Sequence, residues 1–372
     1  MLILIASWLG ILLLKVGLTL RVIRQEQRRK SRPLQCRVTI LQPILSGDPT
    51  LETTLKANVI SLEQADFIWL IDDDDEVAQV TVSQIKQHFP QRNIIMKSCP
   101  AAPQGVNPKA FKLEQAWREA RNDIILVLDD DAMLSADALA HLISEVGTDN
   151  LVTALPYYAA SKNCYSALLA QFVNDSSALT YLPLLPYLPP LTINGMCYAL
   201  TVQTLAKVKG FAPIQQHLTD DLALASLLSQ HQIRLIQTTS LVKIHTDLAR
   251  GKKYWQQMHR WFLFATLLLR EKSLKINILI FLLQGLHPLL LWGVILMAFS
   301  HPLLVLACLI GRHFALRKVQ RALTTDIQSR PLLSLVSELL QPLHLLHALC
   351  NRTIVWRTRR YRVFSNSNFI SR

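Results

Sequence analysis

Between Cys36 and about His245, short unbroken apolar runs alternate with longer stretches whose apolar positions recur at helical spacing. The short runs predict strands at Arg37–Leu41, Phe67–Ile71, Asn93–Met96, Ile124–Leu128 and Leu151–Leu155. The longer stretches predict helices at Thr50–Ile60, Val77–His88, Pro108–Arg121, Ser135–Val146 and Leu218–Gln230. Strand and helix in alternation predict an α/β fold around a mostly parallel sheet. Ligands of such sheets bind beyond the carboxyl ends of the strands. Residues just after each apolar run are therefore the first candidates for chemistry.

Outside this region the apolar runs are too long for a soluble core. Met1 to Leu20 is broken only by Lys15 and is followed by basic residues, with no small-residue cleavage site. A helix of about 20 residues spans a bilayer, so this run reads as an uncleaved anchor. Ile276–Phe299, interrupted by Gly285 and Pro288, leads through Ser300-His301-Pro302 into the shorter run Leu303–Ile310, the pattern of a hairpin. Pro331–Cys350 is weaker, carrying Glu338, two His and two Pro, and reads as interfacial, re-entrant or spanning. The predicted organisation is an anchor over 1–23, a basic linker over 24–35 and a catalytic domain over 36–250. An interfacial segment over 251–272, a transmembrane hairpin over 273–316 and a membrane-associated segment with a basic tail over 317–372 follow.

Composition agrees with a membrane-attached domain. Of 372 residues 51% are apolar and 17% charged, below the roughly 25% charged share of soluble domains. Disorder is excluded by that apolar share, and repeat or collagen-like architecture by the absence of any period. Net charge is +13, from 39 Lys and Arg against 26 Asp and Glu. The basic residues gather beside the apolar runs: Arg21, Arg24, Arg28, Arg29, Lys30 and Arg32 after the first, then Arg312, Arg317, Lys318 and Arg321. A last block closes the chain with Arg352, Arg357, Arg359, Arg360 and Arg362. That map favours positive-inside topology over nucleic-acid binding and predicts a cytoplasmic catalytic domain. The six cysteines are scattered without a CxxC pair, which excludes a dense disulfide framework and cysteine metal spacing.

Two acidic runs follow two predicted strands: Asp72-Asp73-Asp74-Asp75 after Phe67–Ile71, and Asp129-Asp130-Asp131 after Ile124–Leu128. Gathered carboxylates repel one another unless a cation or hydrogen-bond donors compensate, and no basic neighbour in sequence balances the second run. Its D-x-D suits Mg²⁺ or Mn²⁺, which take oxygen ligands together with substrate phosphates. Thr219-Asp220-Asp221 precedes an apolar helix; it is either an N-cap or a site where Asp221 acts as general base. Gln257-Met258-His259-Arg260-Trp261 stands directly before Phe262–Leu269, either as an amphipathic interfacial helix or as part of a site.

In this order the motifs resemble the D,D,D,QxxRW pattern of family 2-type glycosyltransferases. The resemblance extends to the ceramide glucosyltransferase family, family 21, across roughly the whole chain. Gln42-Pro-Ile-Leu-Ser-Gly-Asp-Pro49 resembles that family's K-P-L-K-G-x-D-P, Gly105-Val-Asn-Pro-Lys109 its G-x-N-P-K, and Leu155-Pro-Tyr157 its L-P-Y. Asn194-Gly-Met196 falls at its T-G-M, and Trp356-Arg-Thr-Arg-Arg-Tyr-Arg362 resembles its W-R-T-G-R-Y-R.

The resemblance implies a GT-A, Rossmann-like transferase domain between an N-terminal anchor and C-terminal membrane helices. It makes Asp75, with Asp74 as the competing choice, the contact to the nucleotide of a UDP-sugar, and Lys109 a donor-phosphate ligand. Asp129 matches the second aspartate, and Asp131 completes a D-x-D where the ceramide enzymes often have glycine. His245 stands where many GT-A enzymes carry a late metal ligand, the alternative being a structural histidine. Asp221 matches the base, and Gln257, Arg260 and Trp261 the acceptor and diphosphate region. The implied reaction moves a hexose from UDP-glucose or a similar donor to a lipid hydroxyl, with inversion and a divalent metal. Ceramide, hopanoid and diacylglycerol all remain open as acceptors. The rival readings are a processive polysaccharide synthase, which usually has more spans, and an inactive membrane scaffold.

Overall fold

The computed structural model describes residues 2–28, 36–356 and 359–371. Most of the expected basic linker, with Arg29, Lys30 and Arg32, and also Arg357, lies outside the described residues. The central domain is built on an eight-stranded sheet of order β3-β2-β1-β4-β7-β6-β8-β5. Its strands are β1 (Val38–Ile44), β2 (Ala65–Asp72), β3 (Ile94–Cys99), β4 (Ile124–Leu128), β5 (Ala132–Leu134), β6 (Asn150–Tyr158), β7 (Cys197–Thr201) and β8 (Arg234–Ile244). The half made by β1 to β4 is parallel, as expected. The other half is mixed: β7 runs antiparallel to both β4 and β6, and β5 antiparallel to β8. The expectation of a mostly parallel sheet therefore holds for one half only. The short strands β5 and β7 escape the hydrophobic pattern, and so does β8, whose buried face carries polar Gln237, Thr238 and Ser240 among its apolar residues.

Both faces of the sheet are covered, which explains the unbroken apolar runs. Along β2, Phe67, Trp69 and Ile71 pack into one core while Ile68 and Leu70 pack into the other. Helices α2 (Leu51–Ser61), α3 (Glu76–His88), α5 (Ala136–Ser144) and α6 (Cys164–Tyr181) border the first core. Helices α4 (Pro108–Ala116), α7 (Val202–Lys207) and α8 (Asp220–Gln230) close the second. Helix α4 is shorter than its sequence pattern, giving way to a 3₁₀ turn at Trp117–Glu119.

Among the described residues three helices are long and apolar enough to cross a membrane: α1 (Leu2–Gln27), Leu274–Phe299 and Pro331–Cys350. The second arm of the expected hairpin lies within a helix, Pro302–Leu323, that is not among the three. Pro288 lacks an amide and crowds the preceding turn. The helix accommodates it with a π turn over Phe281–Gly285, where the Leu286 amide donates to Phe281 O. Lys15 is not exposed to lipid: its Nζ donates to Gln284 Oε1 at 2.8 Å. Nearby, Glu338 receives Arg312 Nε at 2.7 Å and His287 Nδ1 at 2.6 Å, so charges that weaken the apolar pattern meet as partners. Helix α1 also docks on the catalytic domain, where both Glu26 carboxylate oxygens accept from the Thr239 amide at 3.0 Å. Helix α9 (Gly251–Glu271) leads from the domain toward these helices.

Candidate active site

The second acidic run lies at the carboxyl end of β4, where the fold supplies the cation that the local sequence lacks. Lys109 Nζ lies 2.6 Å from Asp129 Oδ1 and 3.5 Å from Asp220 Oδ2, and donates to Gly195 O at 2.7 Å. Lys109 is aimed there by the start of α4. Asn107 Oδ1 accepts from the Lys109 and Ala110 amides at 3.0 and 3.2 Å, and Pro108 occupies a first-turn position that needs no amide. Burial disfavours a charged ammonium, but Asp129 and Asp220 outweigh it and raise the lysine pKa well above its ordinary value. Lys109 thus faces carboxylates of both acidic elements. Asp130 serves the backbone, its Oδ2 accepting from Leu45 N at 2.8 Å.

Asp221 stands on the first turn of α8, one residue beyond Asp220. Burial, followed by repulsion from Asp220, lifts its pKa to about 7. Its Oδ1 accepts from the Leu222 amide at 2.8 Å. Thr219 has the N-cap position, yet its hydroxyl does not cap the helix; it donates to Asn366 Oδ1 at 2.7 Å. Gly195 permits the close approach of this helix, because a Cβ there would lie 3.0 Å from Asp221 Cβ.

Asp131 and His245 are joined by strand pairing. The His245 amide donates to Asp131 O at 3.0 Å, continuing the β5–β8 ladder. His245 Nε2 is buried without a hydrogen-bond partner. Burial, then Lys243, lowers the imidazole pKa, which keeps the ring in the neutral form a metal needs. Among the described residues no group of three or more His, Cys, Asp or Glu gathers as a complete metal cage. A carboxylate and an imidazole still suit Mg²⁺ or Mn²⁺, ions that commonly complete their shells with waters and substrate phosphates. The orphan imidazole nitrogen fits that role.

The first acidic run is divided. Asp75 Oδ1 caps α3 through the Ala78 amide at 3.0 Å, and its Oδ2 accepts from Ser46 N at 2.7 Å. Burial opposes the charge, but these amide contacts and Lys112 hold its carboxyl below the usual range. Asp72 Oδ2 meets Lys112 Nζ at 3.0 Å. Asp73 and Asp74 are exposed in the turn after β2. In Q-x-x-R-W, Arg260 Nη2 donates to Gln257 Oε1 at 3.1 Å. Trp261 packs edge-on to Tyr158 and stacks on Phe172, each centroid 6.1 Å away. Burial and the charges of Asp131 and Asp129 raise the Tyr158 phenol pKa against Arg260, so Tyr158 links α9 to the D-x-D turn.

The sequence pattern does not single out Tyr158, Lys112 or Asn366 for these positions. Asn107 had a signal, the Asn-Pro start of a helix, whereas Asn366 had none. Two aromatics of the expected interfacial segment turn toward protein: Tyr254 OH lies 3.2 Å from His344 Nε2, and Trp255 packs on His344 and His347.

Strands ending in two acidic clusters, a mixed sheet covered on both faces and a late histidine beside the D-x-D turn define the GT-A class of glycosyltransferases. The chain belongs to glycosyl transferase family 21, whose profile matches residues 2–369. Ceramide glucosyltransferase 1 of Caenorhabditis elegans is 23% identical over 231 residues, covering 60% of this chain and 48% of that protein. The chain thus spans about half the length of this curated relative. Among solved structures, the mannosyltransferase PcManGT from Pyrobaculum calidifontis, in complex with GDP-Man and Mn2+, is similar in fold. The TM-score is 0.50 at 16% identity, over 91% of this chain and 99% of that one.

Proposed function

We propose that the protein transfers a hexose from a UDP-sugar, UDP-glucose first, to the hydroxyl of a membrane lipid with inversion. The observation that carries the reading is Asp221, a half-buried carboxyl with pKa about 7, set beside the Lys109–Asp129–Asp220 cluster. Asp221 accepts the acceptor's proton as the lipid oxygen bonds to the anomeric carbon and the carbon–phosphate oxygen bond breaks. Proton removal of this kind contributes about 10²–10⁴-fold. Asp74 contacts the nucleotide, and Asp75 holds the loop that carries it. Lys109 holds Asp129 and Asp220 in place beneath the donor phosphates. Arg260, steadied by Gln257, offsets the charge left on the diphosphate, and Trp261 walls the acceptor side. Asp131 and His245 hold a divalent ion, which neutralises diphosphate charge when bound.

The lipid acceptor is supported by the three apolar helices and by the name of the ceramide glucosyltransferase relative. The cytoplasmic leaflet is supported by Arg21, Arg24 and Arg28 at the domain end of α1. The test is the full chain in vesicles containing ceramide or diacylglycerol, supplied with UDP-glucose or GDP-mannose and Mg²⁺ or Mn²⁺. A monohexosyl lipid with released UDP, identified by mass spectrometry, is the expected result. A ladder of sugars, or no lipid product with either donor, would overturn the reading.

A further inference from the structure

The closing motif around Trp356–Arg362 takes no part in the chemistry above, and its environment gives it a task. Among the described residues 353–356 and 359–371 three strands form. Strands β9 (Thr353–Trp356), β10 (Arg359–Val363) and β11 (Phe369–Ser371) make a small antiparallel sheet. Ile354, Tyr361 and Val363 are buried in one cluster with Leu218 and Leu222 beside the base and Leu263 and Leu267 of α9. The sheet is wedged between the two helices that carry Asp221 and Q-x-x-R-W.

The loop between β10 and β11 then reaches the segment just before the base. Asn366 O accepts from the Leu218 amide at 2.8 Å, and Asn366 Oδ1 accepts from the Thr219 amide at 2.9 Å and its hydroxyl at 2.7 Å. Asn107 grips the same segment from elsewhere in the chain, its Nδ2 donating to His217 O at 3.1 Å and Leu218 O at 3.0 Å. Both asparagines are buried. Arg270 Nη1 donates to Phe364 O at 2.8 Å and so fastens the loop to the end of α9. The next residues in the gripped segment are Asp220 and Asp221.

We propose that Asn366 is a positioning residue of the transfer reaction, holding Leu218 and Thr219 so that Asp221 is presented to the acceptor hydroxyl. This rests on the reading of Asp221 as the base. The physical reason lies in Thr219. A threonine at an N-cap ordinarily accepts from the amides of the first turn. Here the Thr219 hydroxyl is oriented by donating to Asn366 Oδ1, its oxygen caps no amide of the helix, and the Leu222 amide goes to Asp221 Oδ1. Without Asn366, Thr219 is free to cap the helix, compete for the Leu222 amide and turn the Asp221 carboxylate away. A misplacement of about 1 Å can cost on the order of 10²-fold in rate.

The test uses the full chain. Asn366→Ala removes the acceptor, and Asn366→Gln keeps the amide but moves it, which guards against an alanine variant that does not fold. Each should lower kcat per folded enzyme by about 10- to 100-fold while donor KM changes less than about 2-fold. Asn366→Asp keeps the acceptor oxygen but exchanges the Nδ2 donation to Glu271 Oε1 at 3.4 Å for a second carboxylate, so it should recover only part of the loss. Adding Asn366→Gln to Asp221→Asn should cost little further, because the residue acts through the base. Normal kcat in Asn366→Gln, or an undiminished further loss in the double variant, would overturn the proposal. An Asp221→Asn enzyme with normal turnover would instead overturn the base assignment, and this inference with it.

Discussion

A carboxyl group is an effective general base when its pKa lies near the working pH, and Asp221 is placed there by burial and by Asp220. The charged form is the active one, so kcat should rise with pH through about 7 and fall as Asp221 becomes protonated below it. Asp221→Asn should lower kcat by at least about 10²-fold while UDP still binds, measured by titration calorimetry beside initial rates. Near-normal turnover would move the role to Asp220. That neighbour meets Lys109 at 3.5 Å, an ion pair that gives it a structural task of its own. At the other acidic run the geometry separates neighbours too, since both Asp75 oxygens serve backbone amides while Asp73 and Asp74 are exposed.

At the scale of elements, the metal residues depend on a strand pairing. Asp131 precedes β5 and His245 follows β8, and the antiparallel ladder brings their backbones within 3.0 Å. If that pairing builds an ion site, Asp131→Ala and His245→Ala should each weaken Mn²⁺ binding by at least about 10-fold, read by electron paramagnetic resonance without substrate. EDTA should abolish transfer, with Mg²⁺ or Mn²⁺ restoring it in the parent but not in Asp131→Ala. Undiminished Mn²⁺ binding in both variants would remove the assignment. The strands ending at Asp72 and Leu128 were legible as apolar runs closed by acids, because both faces of each strand are buried. Strand β7 was not legible: it is short, and it is paired by neighbours distant in sequence.

Across the whole molecule, the membrane helices are joined to the catalytic domain by buried polar contacts. Removing one partner of a buried ion pair leaves the others uncompensated, at a cost of about 3–5 kcal/mol. Glu338→Ala should therefore shorten the thermal-inactivation half-life markedly in detergent or vesicles, because Arg312 and His287 lose the carboxylate they share. Unchanged heat resistance would show that the network carries no weight. The C-terminal sheet matters at this scale as well, as a chain cut near Arg270 would show. Such a chain would lose the sheet that covers Leu218, Leu222, Leu263 and Leu267, so its donor site would not survive as an independent unit.

Local pattern alone determined the alternation of strands and helices, the acids at the strand ends, the three apolar helices and the order of the motifs. These follow from burial on a face and from chain direction, which hydrophobic period reports residue by residue. Only tertiary structure brought Lys109 to Asp129, Asn366 to Thr219 and Lys15 to Gln284. A side chain's partner across the chain is chosen by the packing of whole elements, and no spacing in sequence records it. The pKa of Asp221 belongs to the same class. The sequence supplies an ordinary carboxyl with Asp220 next to it, and the fold raises its pKa by removing water from both.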